Sequence, residues 1–469
     1  MYREIPRLVM FRQFGEDSIL MRLAAIMHDF DENLDEKENL ISRIYEEIRA
    51  LLEVSTDFAF DKNLWHDYLT YLLITNENPF TMTAEKVGAS NGSVNQFAKN
   101  DMRIFCRLYN YDFDKIEEAL GIDCFTTVTH YHSISKKEQM FNRNISEKVL
   151  DITERLEAVF ANEGSLVETG KKDEKGQPIT KVIIKDDVEA KVANEMFAII
   201  TDFYHDYGVG MFGLNKAFRI RHEDGHDMEI LPITSTEYVK LDDLVGYEVQ
   251  KQELRENTEA FVQGRPANNC LLYGDAGTGK STSIKALINE YYDQGLRMIE
   301  IYKHQFKDLS RLISIIKNRN YRFIIYMDDL SFEDFEIEYK YLKAVIEGGL
   351  EVRPDNVLIY ATSNRRHLIR ESWKDKSDMS DDLHHSDTVE EKLSLSSRFG
   401  CAIRYINPDK KEFNQIIMEL ASRCPEIKMT EEELMAAANQ WEIYHGGMSG
   451  RTAQQFIDSL RGKAATDAE

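Results

Sequence analysis

The spacing of apolar positions changes near residue 235. Before that point they recur every three or four residues, the period of an amphipathic helix. In IYEEIRALLEV (44–54), Ile44, Ile48, Leu51 and Leu52 share one face, and in LWHDYLTYLLI (64–74) Leu64, Tyr68, Leu69 and Leu72 do the same. VNQFAKNDMRIFCRLYNY and ISEKVLDITERLEAVF continue the pattern. One interruption, SLVETGKKDEKGQPITKVIIKDD (165–187), has strand-like ends around a charged, glycine-containing middle and predicts a β-hairpin. After 235, short apolar runs alternate with helical periods. NNCLLYG, RMIEIY, YRFIIYMDD and NVLIYATSN read as strands with helices between them, and CAIRYI follows a long polar insertion. Nearly continuous apolar strands alternating with helices predict a parallel sheet covered on both faces. Three helical segments close the chain. The predicted organisation is a mostly helical region over 1–235, an α/β core over 236–406 and a helical lid over 407–469.

Composition narrows the class. An apolar fraction of 42% over 469 residues supports real cores and excludes a disordered chain. The five cysteines are widely spaced with no CxxC pair, which points to a reducing cytoplasmic setting rather than a disulfide scaffold. The first residues, MYREIPRLVMFRQFGED, carry no signal-type apolar block, and no run is long enough for a membrane helix. Lys plus Arg is 58 against 82 Asp plus Glu, a formal charge of −24. That balance opposes a general nucleic-acid coat.

One motif is a false lead. HEDGH (222–226) fits H-E-x-x-H, but a zinc site needs both histidines on one helical turn. Asp224-Gly225 is a turn signal and the flanks alternate as strands do, so a hairpin is expected and not a metal site.

The chemistry lies further on. Gly274-Asp275-Ala276-Gly277-Thr278-Gly279-Lys280-Ser281 fits G-x-x-x-x-G-K-[ST] at every position, with Thr282 next. It follows a predicted strand and opens a predicted helix, the context in which this motif cradles phosphate. The glycines let backbone N–H groups turn inward, and the helix N-terminus adds partial positive charge. Lys280 is placed to meet the β- and γ-phosphates, and Ser281 to ligate magnesium. FIIYMDDLSFE (323–333) ends an apolar strand in Asp328-Asp329, and a carboxylate at that end of a parallel strand lies beside the phosphate site. Asp328 is the expected magnesium acid.

From about 239 to 461 the chain resembles an AAA+ ATPase module. VKLDDLVGYEVQK is similar to the segment that lies near the adenine in that class. IYATSNRRHL places Asn364 like the polar sensor-1 residue, LSLSSRFG places Arg398 like the arginine finger, and GGMSGRTAQQF places Arg451 like sensor 2. GRPANNCLLYGDAGTGKS, YMDDLSFE, VRPDNVLIYATSNRRHL and SLSSRFG together look like a bacterial family of uncharacterised single-module AAA+ proteins, a domain of unknown function distantly similar to helicase loaders. The resemblance weakens before 235. It implies a P-loop AAA+ fold with a helical lid, ATP and Mg2+ as cofactors, and a homo-oligomer. Arg365 and Arg366 either face a neighbouring subunit or have no role.

There is one departure from the class. Many members end the second strand motif in Asp-Glu, with the Glu orienting the attacking water. This chain has Asp329 there, one methylene shorter, and Glu333 four residues on is the alternative. Asp329 is the favoured catalytic residue, and slow turnover is expected. The segment YKHQFKDLS lacks the aromatic-apolar-Gly loop of protein-threading members, with Tyr302 or Phe306 as weak substitutes. Three functions remain open: an ATP-driven oligomeric switch that remodels or loads a protein partner through the helical region, a loader-type ATPase on nucleic acid, and a nucleotide-binding module without turnover.

Overall fold

The computed structural model describes residues 1–469 except 16, 33–35, 89–91, 133–142, 173–177, 223–227, 235, 333–337, 348–353, 365–367, 369–394, 396 and 467–469. Two compact units divide it, Met1–Asn215 and Lys216–Glu469.

Among its described residues the first unit is helical apart from one hairpin. Its helices are α1 (Ile19–Glu32), α2 (Lys37–Phe58), α3 (Leu64–Thr75), α4 (Pro79–Val87), α5 (Ser93–Tyr109), α6 (Asp114–Leu120), α7 (Cys124–Thr129), α8 (Arg143–Glu163), α9 (Asp186–Tyr207) and α10 (Gly210–Leu214). The helix-period runs of the sequence lie within α2, α3 and α8, and a further run fills α5 and passes its end by two residues. Strands β1 (Ser165–Lys172) and β2 (Pro178–Ile183) pair antiparallel, as the hairpin pattern predicts. Burial of aromatic rings organises the core: Phe11 sits edge-on to Phe80 and Phe105, and Phe80 stacks on Phe197. An unpaired buried polar group costs far more than a bond gains, and two pairings show how that cost is met here. Asp101 accepts from the backbone N–H groups of Val9, Met10 and Phe11, and Trp65 Nε1 donates to Leu108 O at 2.9 Å.

The second unit holds a sheet that, among the described residues, has seven strands in the order β4-β3-β6-β7-β8-β5-β9. They are β3 (Ala217–Arg221), β4 (Glu229–Pro232), β5 (Cys270–Gly274), β6 (Leu296–Glu300), β7 (Arg322–Met327), β8 (Val357–Ser363) and β9 (Cys401–Tyr405). All neighbours are parallel except β4, which runs antiparallel to β3. Helices α11 (Glu248–Val262), α12 (Lys280–Tyr291), α13 (Leu309–Ile316) and α14 (Glu338–Glu347) lie between strands. The chain then forms α15 (Lys410–Ser422), α16 (Glu431–Tyr444) and α17 (Gly450–Thr466). These three helices share a small core of their own, with Phe413, Ile417, Leu434 and Phe456 buried. The α/β P-loop core with a helical lid is the fold the sequence predicts.

One boundary moves. The expected division at 235 assigns β3 and β4 to the N-terminal region, yet they belong to the sheet. Ala217, Phe218 and Arg219 pair in parallel register with Met298, Ile299 and Glu300. Without them the outer edge of β6 would be open, a liability that proteins usually cover. The β3–β4 hairpin also agrees with the turn reading of HEDGH, although 223–227 lie outside the described residues. No helix among the described residues is long and apolar enough to cross a membrane.

The helical unit contains a buried acid with a pH signature. Asp67 is 1% exposed, and its Oδ2 accepts from Asp61 N at 3.2 Å. Burial raises its pKa from 3.8 to about 7. The folded state therefore binds a proton that the unfolded state releases, and stability falls as pH rises from about 4 to 7. A shift of that size corresponds to roughly 4 kcal/mol at most. Urea titrations of the full chain at pH 5 and pH 7 should give a lower midpoint at pH 7, and Asp67→Asn should flatten the difference. Equal slopes for both proteins would remove Asp67 as the cause.

Candidate functional site

The parallel strands of the second unit deliver their C-terminal ends to one edge of the sheet, where ligands of open α/β folds bind. β5 leaves the sheet at Gly274, which pairs with Tyr405 of β9. A Cβ on Gly274 would sit 1.8 Å from the Tyr405 carbonyl oxygen, so no other residue fits there. Gly277 and Gly279 hold φ of +78° and +88°, the left-handed region that favours glycine. The loop 274–279 thereby wraps back onto α12. Thr278 Oγ1 closes it by donating to Asp275 O at 2.8 Å, and Asp275 Oδ2 accepts from Asn407 N at 2.8 Å.

Lys280, the first residue of α12, is buried beneath the loop. Its Nζ donates to the carbonyls of Gly274 at 3.0 Å and Asp275 at 2.6 Å, and to Asn364 Oδ1 at 3.2 Å. Burial lowers its pKa, against the fields of Asp275, Asp329 and Asp328, which raise it. Ser281 follows and donates to Asp328 Oδ1 at 2.6 Å. Ala276 and Thr282 complete the stretch, Ala276 exposed at the loop tip and Thr282 half-buried on the helix.

Consecutive strand residues point to opposite faces, so Asp328 and Asp329 could not both face the loop from a regular strand. The backbone resolves this. β7 ends at Met327, and Asp329 takes φ +49°. That turn is held by Thr362 of β8, whose Oγ1 accepts from Asp329 N at 2.9 Å and donates to Asp328 Oδ1 at 2.6 Å. Asn364 Nδ2 then donates to Asp329 Oδ1 at 2.8 Å. One amide thus bridges the loop lysine and the second acid. Burial acts to raise the Asp328 pKa, but the hydrogen bonds from Ser281 and Thr362 hold it below its ordinary value. Tyr326, two residues earlier on β7, is 1% exposed, and burial pushes its phenol well above the ordinary value.

Arg451 reaches the loop from the lid. Its backbone N–H donates to Gly277 O at 3.0 Å, and a Cβ on Gly277 would press on Ser449 Oγ at 2.9 Å and Arg451 Cβ at 3.2 Å. The segment before the loop adjoins it too, since a Cβ on Gly279 would meet Leu244 Cδ2 at 2.8 Å. Between that segment and the lid lies a cleft of about 560 Å³ lined by Val245, Tyr247, Ile406, Pro408, Glu412 and Ile416.

Arg398 is not among the residues gathered here. It precedes β9, whose first residue pairs with Cys270 at the start of β5. The loop leaves β5 at its other end, four residues or roughly 13 Å along the strand. Arg398 therefore sits toward the opposite edge of the sheet. Arg365, Arg366 and Glu333 lie outside the described residues. Thr362 was not singled out in the sequence, although a hydroxyl two residues before Asn364 in an apolar strand is a signal for it.

A profile of the family described as "Protein of unknown function (DUF815)" matches residues 214–464, more than half of the chain. The chain belongs to the DUF815 family. The matched span begins within two residues of the second unit and lies over it. No similar curated protein was found. Among solved structures, the Thermotoga maritima RuvB Holliday junction branch migration motor is similar at 16% identity and a TM-score of 0.35, over 49% of this chain and 66% of that one. A point mutant of that motor is similar at 14% identity and a TM-score of 0.30, over 47% and 71%. This chain spans just under two thirds of the first structure's length.

The two bonds at Thr362 have a measurable value. Thr362→Val keeps the β-branched shape but leaves the Asp329 N–H without its acceptor. Stability should fall by about 1–3 kcal/mol, read as a lower denaturant midpoint. A midpoint equal to that of the parent protein would show that the turn stands without the hydroxyl.

Proposed function

We propose that this protein binds ATP with Mg2+ and hydrolyses it slowly, as an oligomeric switch that remodels or loads a protein partner through its helical unit. The observation that carries the reading is the 2.6 Å hydrogen bond from Ser281 to Asp328, which joins the phosphate-loop hydroxyl to the strand-end acid. Both are hard oxygen donors of the kind magnesium takes, so the pair fits the ion. The glycine loop, with Gly274, Asp275, Ala276, Gly277, Thr278 and Gly279 ahead of Lys280, Ser281 and Thr282, suits a triphosphate. The cleft beside Tyr247 and Ile406 suits the base.

In this reading Lys280 pairs β- and γ-phosphate oxygens, and Arg451 approaches the same phosphates from the lid. Ser281 and Asp328 hold the ion, which when bound neutralises charge on the β- and γ-oxygens. Asp329, set by Asn364, orients the attacking water and draws off its proton as the water oxygen bonds to the γ-phosphorus. The bond from phosphorus to the bridging oxygen breaks, leaving ADP and phosphate. A shorter acid in place of Glu favours slow turnover. The formal charge of −24 favours a protein partner over nucleic acid.

Two variants separate binding from chemistry. Lys280→Ala should weaken binding of a fluorescent ATP analogue or abolish turnover. Asp329→Asn should retain nucleotide and magnesium but release phosphate far more slowly. Unaltered binding and hydrolysis in Lys280→Ala would end the phosphate-loop reading, and no turnover in the parent protein would leave a binding module alone.

The place of Arg398 supports a finger acting on a neighbouring subunit. Turnover per subunit should rise with protein concentration, and Arg398→Ala should lose about 10³–10⁵ in rate while binding ATP normally. Mixing Arg398→Ala with Lys280→Ala should restore part of the activity, because some interfaces then pair an intact finger with an intact loop. A co-assembled mixture that stays inactive would return Arg398 to a surface cation.

A further inference from the structure

Cys270 and Cys401 stand opposite each other at the starts of β5 and β9. Their Sγ atoms are 3.6 Å apart, and both thiols are free. A single buried cysteine packs as a small apolar residue and says little. Two in register on neighbouring strands are a reactive pair. Neighbouring strands run about 4.8 Å apart, near the short end of the roughly 4.4–6.8 Å that disulfides span between Cα atoms. A bond is therefore within reach of the backbone, but crowded, and crowded disulfides are readily reduced.

The two thiols are unequal. Cys270 lies inside the sheet, between β8 and β9, with none of its surface exposed, and burial pushes its thiol well up. Cys401 opens the end strand among those described and keeps 8% of its surface exposed. The Cys270 thiol donates toward Cys401 Sγ and holds that thiol below its ordinary pKa, against burial and the Glu253 carboxylate. Cys401 is thus the nucleophile and Cys270 the resolving thiol. Their position gives the pair a consequence. Arg398 lies three residues before Cys401, whereas the phosphate loop leaves β5 at its other end. We propose that Cys270 and Cys401 are a reversible redox site, closed to a disulfide by hydrogen peroxide, which displaces the Arg398 segment and slows turnover while nucleotide stays bound. The effect on turnover rests on the nucleotide and neighbouring-subunit finger reading above; the cross-link does not.

The Cys401 thiolate attacks one peroxide oxygen, the O–O bond breaks, and the departing hydroxide takes up a proton to become water. Cys270 Sγ then bonds to the sulfur of the Cys401 sulfenic acid. The S–O bond breaks, and the hydroxyl leaves as water with the Cys270 proton. Two thiols lose two electrons, and the peroxide gains them, leaving two waters. Closing the sulfurs from 3.6 Å to about 2.0 Å draws the two strand starts together. A misplacement of about 1 Å at a catalytic group costs up to about 10²-fold in rate.

To test this, the full chain is treated with hydrogen peroxide, its free thiols are blocked with a maleimide, and it is digested without reductant. Mass spectrometry should find a linked peptide carrying Cys270 and Cys401 that a dithiol reductant removes. Turnover should fall about ten- to a hundredfold in step with the link and return with reductant, while a fluorescent ATP analogue binds as before. Cys401→Ala retains Cys424, the least buried cysteine, so it should turn over as the reduced parent does and resist peroxide. If that variant folds poorly, the linked peptide in the parent still decides. Absence of the linked peptide at peroxide doses that oxidise Cys424 would overturn the site. A link that forms with turnover unchanged would overturn its control of Arg398. If the reduced parent has no turnover, the reading above falls and that control with it, while the linked peptide judges the redox site by itself.

Discussion

The parallel register of β5 between β8 and β9 is the constraint from which the site follows. Gly274 pairs with Tyr405, Tyr273 with Ser363, and Met327 of β7 with Ala361 of β8. Because these strands run the same way and end at the same level, the glycine loop, the two acids and Asn364 emerge side by side. No long side chain has to reach across the molecule. The contact that fixes the level is a bare one: the Tyr405 carbonyl oxygen occupies the place of any side chain at 274. A one-residue slip would move every strand face and separate Ser281 from Asp328.

Two opposed demands meet at the strand ends. The sheet wants alternating faces, and the site wants two neighbouring acids on one side. The left-handed residue at Asp329 reconciles them, and Thr362 maintains it by serving as acceptor to one acid's backbone and donor to the other's carboxylate. Lys280 faces a similar conflict, since a buried cation is costly unless it is paired. Two carbonyls and the Asn364 amide oxygen satisfy it. The same amide holds Asp329, so the cation and the acid are set by one side chain before any ligand arrives.

Much of this was legible in the sequence because period and punctuation are local. The strands, the helices between them, the glycine loop and the two acids all announce themselves within a dozen residues. What was not legible depends on register between distant segments. The assignment of β3 to the sheet rests on its pairing with β6, some eighty residues away, so a hairpin that looks self-contained from its own residues joins the second unit. Thr362 escaped for the same reason. A hydroxyl within an apolar strand reads as noise until the neighbouring strand shows what it faces.

The lid is tied to the loop at two points, its entry and the start of its last helix. The chain enters it past Asn407, whose backbone N–H donates to Asp275, and re-approaches at Arg451, whose backbone N–H donates to Gly277. Asp275 and Gly277 bracket the exposed tip of the loop. These are backbone donors, so exchanging the side chains of the lid would not cut the link. A loop that rearranged around phosphates would have to break these bonds or carry the lid with it. A ligand shifts a conformational equilibrium only by the difference in its affinity for the two states. Bonds that couple the loop to a separately packed three-helix body are the means by which such a difference could reach beyond the site. For the switch proposed above, that coupling matters more than speed, and the short acid proposed at 329 beside a doubly anchored lid fits that order of priorities.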